Sequence, residues 1–350
     1  MTFISPSPQR DTVDITIPHV TFKYCWKNSK ITNKYLKTAL GYWNAWKYVK
    51  SLPHNANILL LGLKDFLPIF LYRKDLNIYH EITEHPALGG WGNVFGQLST
   101  SYYYSQCAKL KHLFVISTAL RDCFIQHGIP SDRISIINMT VDKTRFEDLT
   151  KADGVEPYIA YCGTVSNTKD GVDELLKAFA ITHQTHPKVK LYIIGATPSA
   201  DDRAGNLKLI KSLGIQDDVI FTGIVKADRM PQILKNATVL ALDRPNNLQA
   251  QNGFPTKLGE YLLTGNPVVI TQVGDIPLFL KDGESALLSQ ERNAIEFASK
   301  MNWALDNPIQ AEKIGTNGKQ IALLHFDCIT EGLKILKVIR ADMSIKARSQ

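Results

Sequence analysis

The chain predicts an α/β fold of two domains built on parallel sheets, and three observations predict it. Short apolar runs recur along the 350 residues and alternate with amphipathic stretches of helical period, the pattern of strands joined by crossover helices. The runs end in glycine or polar clusters, as strands do where an open α/β sheet meets its ligand crevice. The length suits two cores of ordinary size, and a polar, Asp- and Lys-rich stretch ending near Glu156 reads as their junction. Residues 1–150 are expected to form the first domain, 151–325 the second, and 326–350 a closing helical segment.

The first half opens on a strand-like Thr2-Phe3-Ile4-Ser5-Pro6 and then turns basic: between Asp14 and Asp65 there is no acidic residue, while lysines and aromatics crowd residues 20–50. From Thr32 to Leu52 the period is helical, with Tyr35, Leu36, Ala39, Trp43, Trp46 and Val49 on one stripe and Lys34, Lys37, Lys47 and Lys50 largely off it. Two readings stand side by side. The helix either rests on an anionic membrane surface with its Trp and Tyr at headgroup depth, or packs the stripe on its own domain and solvates its lysines. Aromatics among lysines also suit single-stranded nucleic acid, but no nucleic-acid module surrounds them, and a nucleic-acid partner is not expected.

A buried strand follows at Asn57–Gly62, then a helix at Phe66–Tyr72 and a strand at Leu76–Tyr79 that runs into His80-Glu81-Ile82-Thr83-Glu84-His85-Pro86. Strand carboxyl ends face the crevice, so this cluster is a candidate for chemistry; it reads equally as a polar loop. The rhythm continues with a helix at Gln97–Lys109, a strand at His112–Ile116, a helix at Thr118–His127 stopped by Gly128, and a strand at Arg133–Ile137.

The second half alternates more cleanly. Strand Tyr158–Cys162 leads to a turn at Gly163–Gly171 and a helix with Val172, Leu175, Leu176 and Phe179 on one face. Strand Val189–Ile194 ends in Gly195 and precedes a helix through Leu207–Leu213; strand Val219–Phe221 ends in Thr222-Gly223-Ile224-Val225; helix Met230–Asn236 and strand Thr238–Leu242 follow. The stretch Asn252–Gly265 then reads as a helix starting at Pro255 and stopping at Gly265, with a strand at Val268–Ile270. Its free N–H groups around Thr256 and Lys257, with the Lys257 ammonium beside them, make an anion site, or an ordinary helix start with a solvated lysine. The last helix is expected over Ile329–Met343.

Composition excludes several classes. No apolar run approaches the roughly 20 residues of a membrane-spanning helix, and the start carries no basic-then-apolar leader, so the expected location is cytoplasmic. Five scattered cysteines without a Cys-x-x-Cys pair suit reduced thiols rather than disulfides or zinc. The net charge of +7 sits mostly in residues 1–150, where 17 Lys and Arg face 11 Asp and Glu.

Lys169 at one strand end, Lys257 at another, helix-start amides beside Thr256 and Glu260 one turn further on would together hold a nucleotide diphosphate-sugar. With these residues and this order of elements, the chain resembles the retaining glycosyltransferases of family 4. The motifs are Gly163–Val172, Phe221-Thr222-Gly223-Ile224-Val225 and Gly253-Phe254-Pro255-Thr256-Lys257-Leu258-Gly259-Glu260, with His80-Glu81, Val115-Ile116-Ser117 and Asn138–Asp142 in the first half. The resemblance implies the GT-B fold: two Rossmann-like domains whose parallel sheets face each other across a cleft, the second binding the donor and the first the acceptor. It implies transfer to a glycan or lipid-linked acceptor in cell-surface polysaccharide synthesis, with no metal ion or cofactor, and a last helix that crosses back to the first domain.

Carried across by residue, the resemblance gives Glu260 the ribose, Thr256, Lys257 and Gly253 the diphosphate turn, Lys169 a phosphate, Val225 a backbone contact to the base, and His80 a place near the donor sugar. Asn252 stands where the family has the first glutamate of Glu-x7-Glu, and Thr164 where an arginine commonly follows the first glycine. Thr2–Pro6 looks like the family's second strand, so the first strand, glycine-rich loop and helix are expected to be missing from the N-terminal domain. Two alternatives follow: a remnant that only binds nucleotide-sugar, or a sugar-nucleotide epimerase of the same fold.

Overall fold

The computed structural model describes residues 2–5, 21–27, 31–61, 73–89 and 92–348. The chain divides into two compact units, Met1–Glu81 with Gly90–Leu113, and Ile82–Gly89 with Phe114–Gln350. In chain order the strands are β1 (Thr2–Ser5), β2 (Thr21–Tyr24), β3 (Asn57–Leu61), β4 (Asn77–Ile82), β5 (His112–Val115), β6 (Ile134–Ile136), β7 (Tyr158–Cys162), β8 (Lys190–Ile194), β9 (Val219–Gly223), β10 (Val239–Leu242), β11 (Val268–Thr271) and β12 (Leu287–Ser289). They form a parallel β1-β2 pair, a four-stranded sheet in the order β3-β4-β5-β6, and a six-stranded sheet in the order β12-β11-β10-β7-β8-β9. All five pairings of the six-stranded sheet are parallel.

The central strands of the larger sheet are continuous apolar runs because both their faces are covered. Every residue of β7, β10 and β11 is buried, whereas edge strand β9 leaves Ile220 and Phe221 exposed. The helix Val172–Thr185 buries Val172, Leu175, Leu176 and Phe179, the face expected from its spacing, together with Ala178 and Thr182. The last helix, Cys328–Arg348, starts against residues 138–142 of the same unit: Val141 N donates to Phe326 O at 2.8 Å, and Asn138 N to the fully buried Glu331 carboxylate at 2.9 Å.

In the smaller unit the helix Lys34–Lys50 buries Gly41, Ala45 and, from the apolar stripe, Val49, while Trp46 is half-buried. Tyr35, Leu36 and Trp43 of the expected stripe stay exposed, at 84%, 61% and 53%. The helix expected over Phe66–Tyr72 lies outside the described residues. No helix among the described residues is long and apolar enough to cross a membrane.

Candidate functional site

A cavity of about 390 Å³ opens at the carboxyl ends of β7, β8, β9 and β10, where an open parallel sheet places its ligand. Everything that lines it belongs to the larger unit. Gly163 and Thr164 follow β7, Gly195 and Ala196 follow β8, and Ile224 and Val225 follow β9. Two of the turns require glycine. A Cβ on Gly195, at φ +137°, would stand 1.8 Å from Gly163 O, and one on Gly171, at φ +57°, 2.1 Å from Asp243 O.

The far wall is Gly253-Phe254-Pro255-Thr256-Lys257, the start of the helix Thr256–Leu263. Among the described residues no side chain caps this helix, so its first amides are left to solvent or a ligand and carry the positive end of the helix dipole. Lys169 sits in the short helix Asn167–Asp170, capped by Ser166 and tied down by Asn247, whose Nδ2 donates to Thr168 O at 2.7 Å. Beneath it Asp170 is buried, with Oδ2 2.8 Å from the Tyr161 hydroxyl, and burial raises its carboxyl above the ordinary range. Lysines, helix amides and small turns in one pocket make an anion-binding site of a size that takes a small-molecule ligand.

Lys169, Val225, Gly253, Thr256 and Lys257, all singled out from the sequence, line this cavity together. Glu260 and Asn252 do not line it. Glu260 is buried and its carboxylate accepts from Lys257 Nζ at 2.9 Å and from Arg145. Asn252 is buried too; its Nδ2 donates to Leu248 O at 2.9 Å and its carbonyl accepts the Ser117 hydroxyl at 2.5 Å. From the His80–Pro86 cluster, Thr83 and Glu84 reach the lining. His80 belongs to the smaller unit, with Nδ1 3.1 Å from Leu60 O and Nε2 2.8 Å from the Tyr103 hydroxyl. Burial pushes its imidazole down to about 4, so it is neutral near pH 7.

Two arginines complete the charge pattern without having been read from the sequence. Arg244 follows β10 by two residues and lines the cavity although it is only 3% exposed. Arg145, in the 3₁₀ turn Lys143–Phe146, pairs with Glu260 and donates to Ala227 O at 2.9 Å. The strand-end rule that picked out Lys169 also applies to Asp243-Arg244; nothing local marks Arg145, whose partner is 115 residues away. Among the described residues no group of three or more His, Cys, Asp or Glu is placed to hold a metal ion.

Comparison with known proteins converges on this same stretch. A D-inositol 3-phosphate glycosyltransferase of Acidothermus cellulolyticus is 27% identical over 232 residues, 62% of this chain and 50% of its own length. The chain thus spans about half the length of the curated relatives it matches. Among solved structures, the sucrose-phosphate synthase of Thermosynechococcus elongatus superposes with a TM-score of 0.76 at 17% identity, over 99% of this chain and 89% of that one. HepE of Anabaena, in complex with UDP, superposes with a TM-score of 0.72 at 19% identity, over 87% and 84%. At such identities the likeness is one of fold, and the fold is the α/β, parallel-sheet GT-B class expected from the sequence. The family model for glycosyl transferases group 1 matches residues 142–321, which supply nearly all of the cavity wall and just over half of the sequence; the chain belongs to that family.

Proposed function

We propose that the chain is a retaining glycosyltransferase of family 4 that moves a sugar from a nucleoside diphosphate donor to a glycan or lipid-linked acceptor in cell-surface polysaccharide synthesis. One observation carries the reading: an uncapped helix start, Lys169 and Lys257 converge on one cavity at the strand ends. As the glycosidic bond to the donor breaks, negative charge grows on the departing diphosphate, and fixed cations and N–H dipoles stabilise that charge more than the ground state. The Val225 backbone edges the base, and Gly253 lets the chain approach the phosphates. Glu260 takes the ribose once Lys257 turns from it to the diphosphate. Asn252 offers the donor sugar hydrogen bonds without charge. The reading requires no metal ion. That HepE was crystallised with UDP supports a uridine nucleotide as the first donor to try.

The test is calorimetric titration of the full chain with UDP-glucose and GDP-mannose. Binding of one donor is expected, weakened about tenfold in Glu260→Ala, the order of one hydrogen bond to a charged group. If neither donor binds, the reading is lost. A second element of the proposal is a peripheral place on the cytoplasmic face of a membrane through residues 20–50. The exposure of Tyr35, Leu36 and Trp43 beside the lysines favours it over full packing of that stripe.

A further inference from the structure

The Arg244 guanidinium is the least explained charge in the larger unit. The side chain is 4% exposed, and Nε and Nη1 are buried with no hydrogen-bond partner among the described residues. The nearest carboxylate atom, Asp170 Oδ1, is 3.8 Å from Nε, too far for a hydrogen bond, and the other oxygen of that carboxylate faces the Tyr161 hydroxyl. The adjacent Asp243 does not serve as a counterion. Burial, then the carboxylates of Glu174, Asp173 and Glu291, push its carboxyl up to about 8, which leaves it mostly protonated near neutral pH. A buried guanidinium whose one carboxylate stands off at 3.8 Å, with Nε and Nη1 making no hydrogen bond among the described residues, is incompletely compensated, and arginine keeps its charge rather than relieving the cost by losing a proton.

The backbone that carries this arginine is held firmly. The Thr271 hydroxyl, itself fully buried, lies 2.8 Å from Arg244 N and 2.9 Å from Arg244 O, accepting from the first and donating to the second. Gly171 packs against the neighbouring Asp243 carbonyl so closely that no side chain fits there. Arg244 is therefore preorganised at the cavity wall, on the same lining as Lys169 and Lys257. A fork of N–H donors fixed in a dry wall suits a bidentate anion far better than a lysine does.

We infer that Arg244 is a binding residue for the diphosphate of the donor, supplying the bidentate contact that Lys169 and Lys257 cannot. This rests on the donor-site reading of the cavity and adds to it an arginine outside the motifs that carry the family resemblance. In the filled site the phosphate oxygens supply the guanidinium with the hydrogen bonds that Asp170, at 3.8 Å, does not make. The arginine thus discriminates between nucleoside diphosphate and nucleoside, not between bases.

The experiment titrates the full chain with UDP and GDP and, for whichever binds, with the matching monophosphate and nucleoside. In Arg244→Met, a variant that keeps the buried bulk, the diphosphate is expected to bind at least tenfold more weakly while nucleoside affinity stays within twofold; Arg244→Lys recovers part of the loss. Thr164 is exposed and lines the same cavity, so adding Thr164→Arg to Arg244→Met is expected to restore diphosphate binding selectively. Unchanged diphosphate affinity in Arg244→Met overturns the inference alone. So does an equal loss for diphosphate and nucleoside, the mark of a merely structural role. Failure of the unaltered protein to bind either diphosphate overturns the donor reading itself, and this inference with it.

Discussion

Asp243 shows what the strand-end location does to a single residue. Its Oδ2 is buried with no hydrogen-bond partner among the described residues, and burial and neighbouring carboxylates push its pKa up to about 8. The native state therefore holds a proton that the unfolded chain, with an aspartate near 3.9, has released by neutral pH. For an acid raised in this direction the unfolded state binds fewer protons between pH 4 and 8, so stability is fully present below pH 4 and declines as pH rises to 8. Asp243→Asn keeps the shape and removes the titration. In urea unfolding at pH 4, 6 and 8, the variant should gain on the parent protein as pH rises, by several kcal/mol, on the order of 5 at most. A stability difference that stays constant across the three pH values would remove the buried-acid account. His80 carries the opposite sign: depressed to about 4, it contributes stability above pH 6.5 that fades as pH falls toward 4. At this scale Lys169, Thr256 and Lys257 were legible because turn and helix-start chemistry marks them locally. Asp243, Arg244 and Arg145 take their character from burial and partners that only the tertiary fold assembles.

The strands of the larger sheet could be read directly because burial on both faces writes them as uninterrupted apolar runs, as in Val268-Val269-Ile270. β2 is not legible in the sequence because Thr21-Phe22-Lys23-Tyr24 is half exposed and carries a lysine. The helix Lys34–Lys50 was legible as a helix but not in its orientation, because the apolar stripe and the small-residue face of Gly41 and Ala45 compete for the interior, and the residues it buries are Gly41, Ala45 and Val49. The outcome leaves Tyr35, Leu36 and Trp43 on the surface, with Lys47 Nζ 5.5 Å from the Trp43 ring and Lys50 Nζ 5.3 Å from the Trp46 ring. Such a helix, with no acid in its first turn and lysines in its last, suits an anionic surface at about 1 kcal/mol per lysine. Reversing Lys34, Lys37, Lys47 and Lys50 to glutamate should abolish co-sedimentation with phosphatidylserine vesicles, and Trp43→Ser should weaken it on neutral-rich vesicles as well. Binding that ignores the charge reversal would rule out this surface.

At the scale of the whole chain, the division into two compact units has a thermodynamic consequence. The larger unit contains the six-stranded sheet and its core, and all the residues lining the cavity. Units of this kind commonly unfold as separate cooperative blocks, and a single two-state transition is then not the expectation. Ligand linkage acts only on the block that binds: a nucleoside diphosphate at a hundred times its Kd adds about 2.7 kcal/mol to that block alone. For a unit of more than 200 residues this raises its midpoint by about 5–10 °C. Scanning calorimetry should therefore resolve two transitions, of which one moves upward with UDP or GDP while the other stays in place. Limited proteolysis between the two midpoints should then leave a ligand-protected fragment that contains Phe114–Phe326. Equal movement of both transitions would mean that the donor site is not confined to the larger unit, and the assignment of the cavity as that site would have to be abandoned.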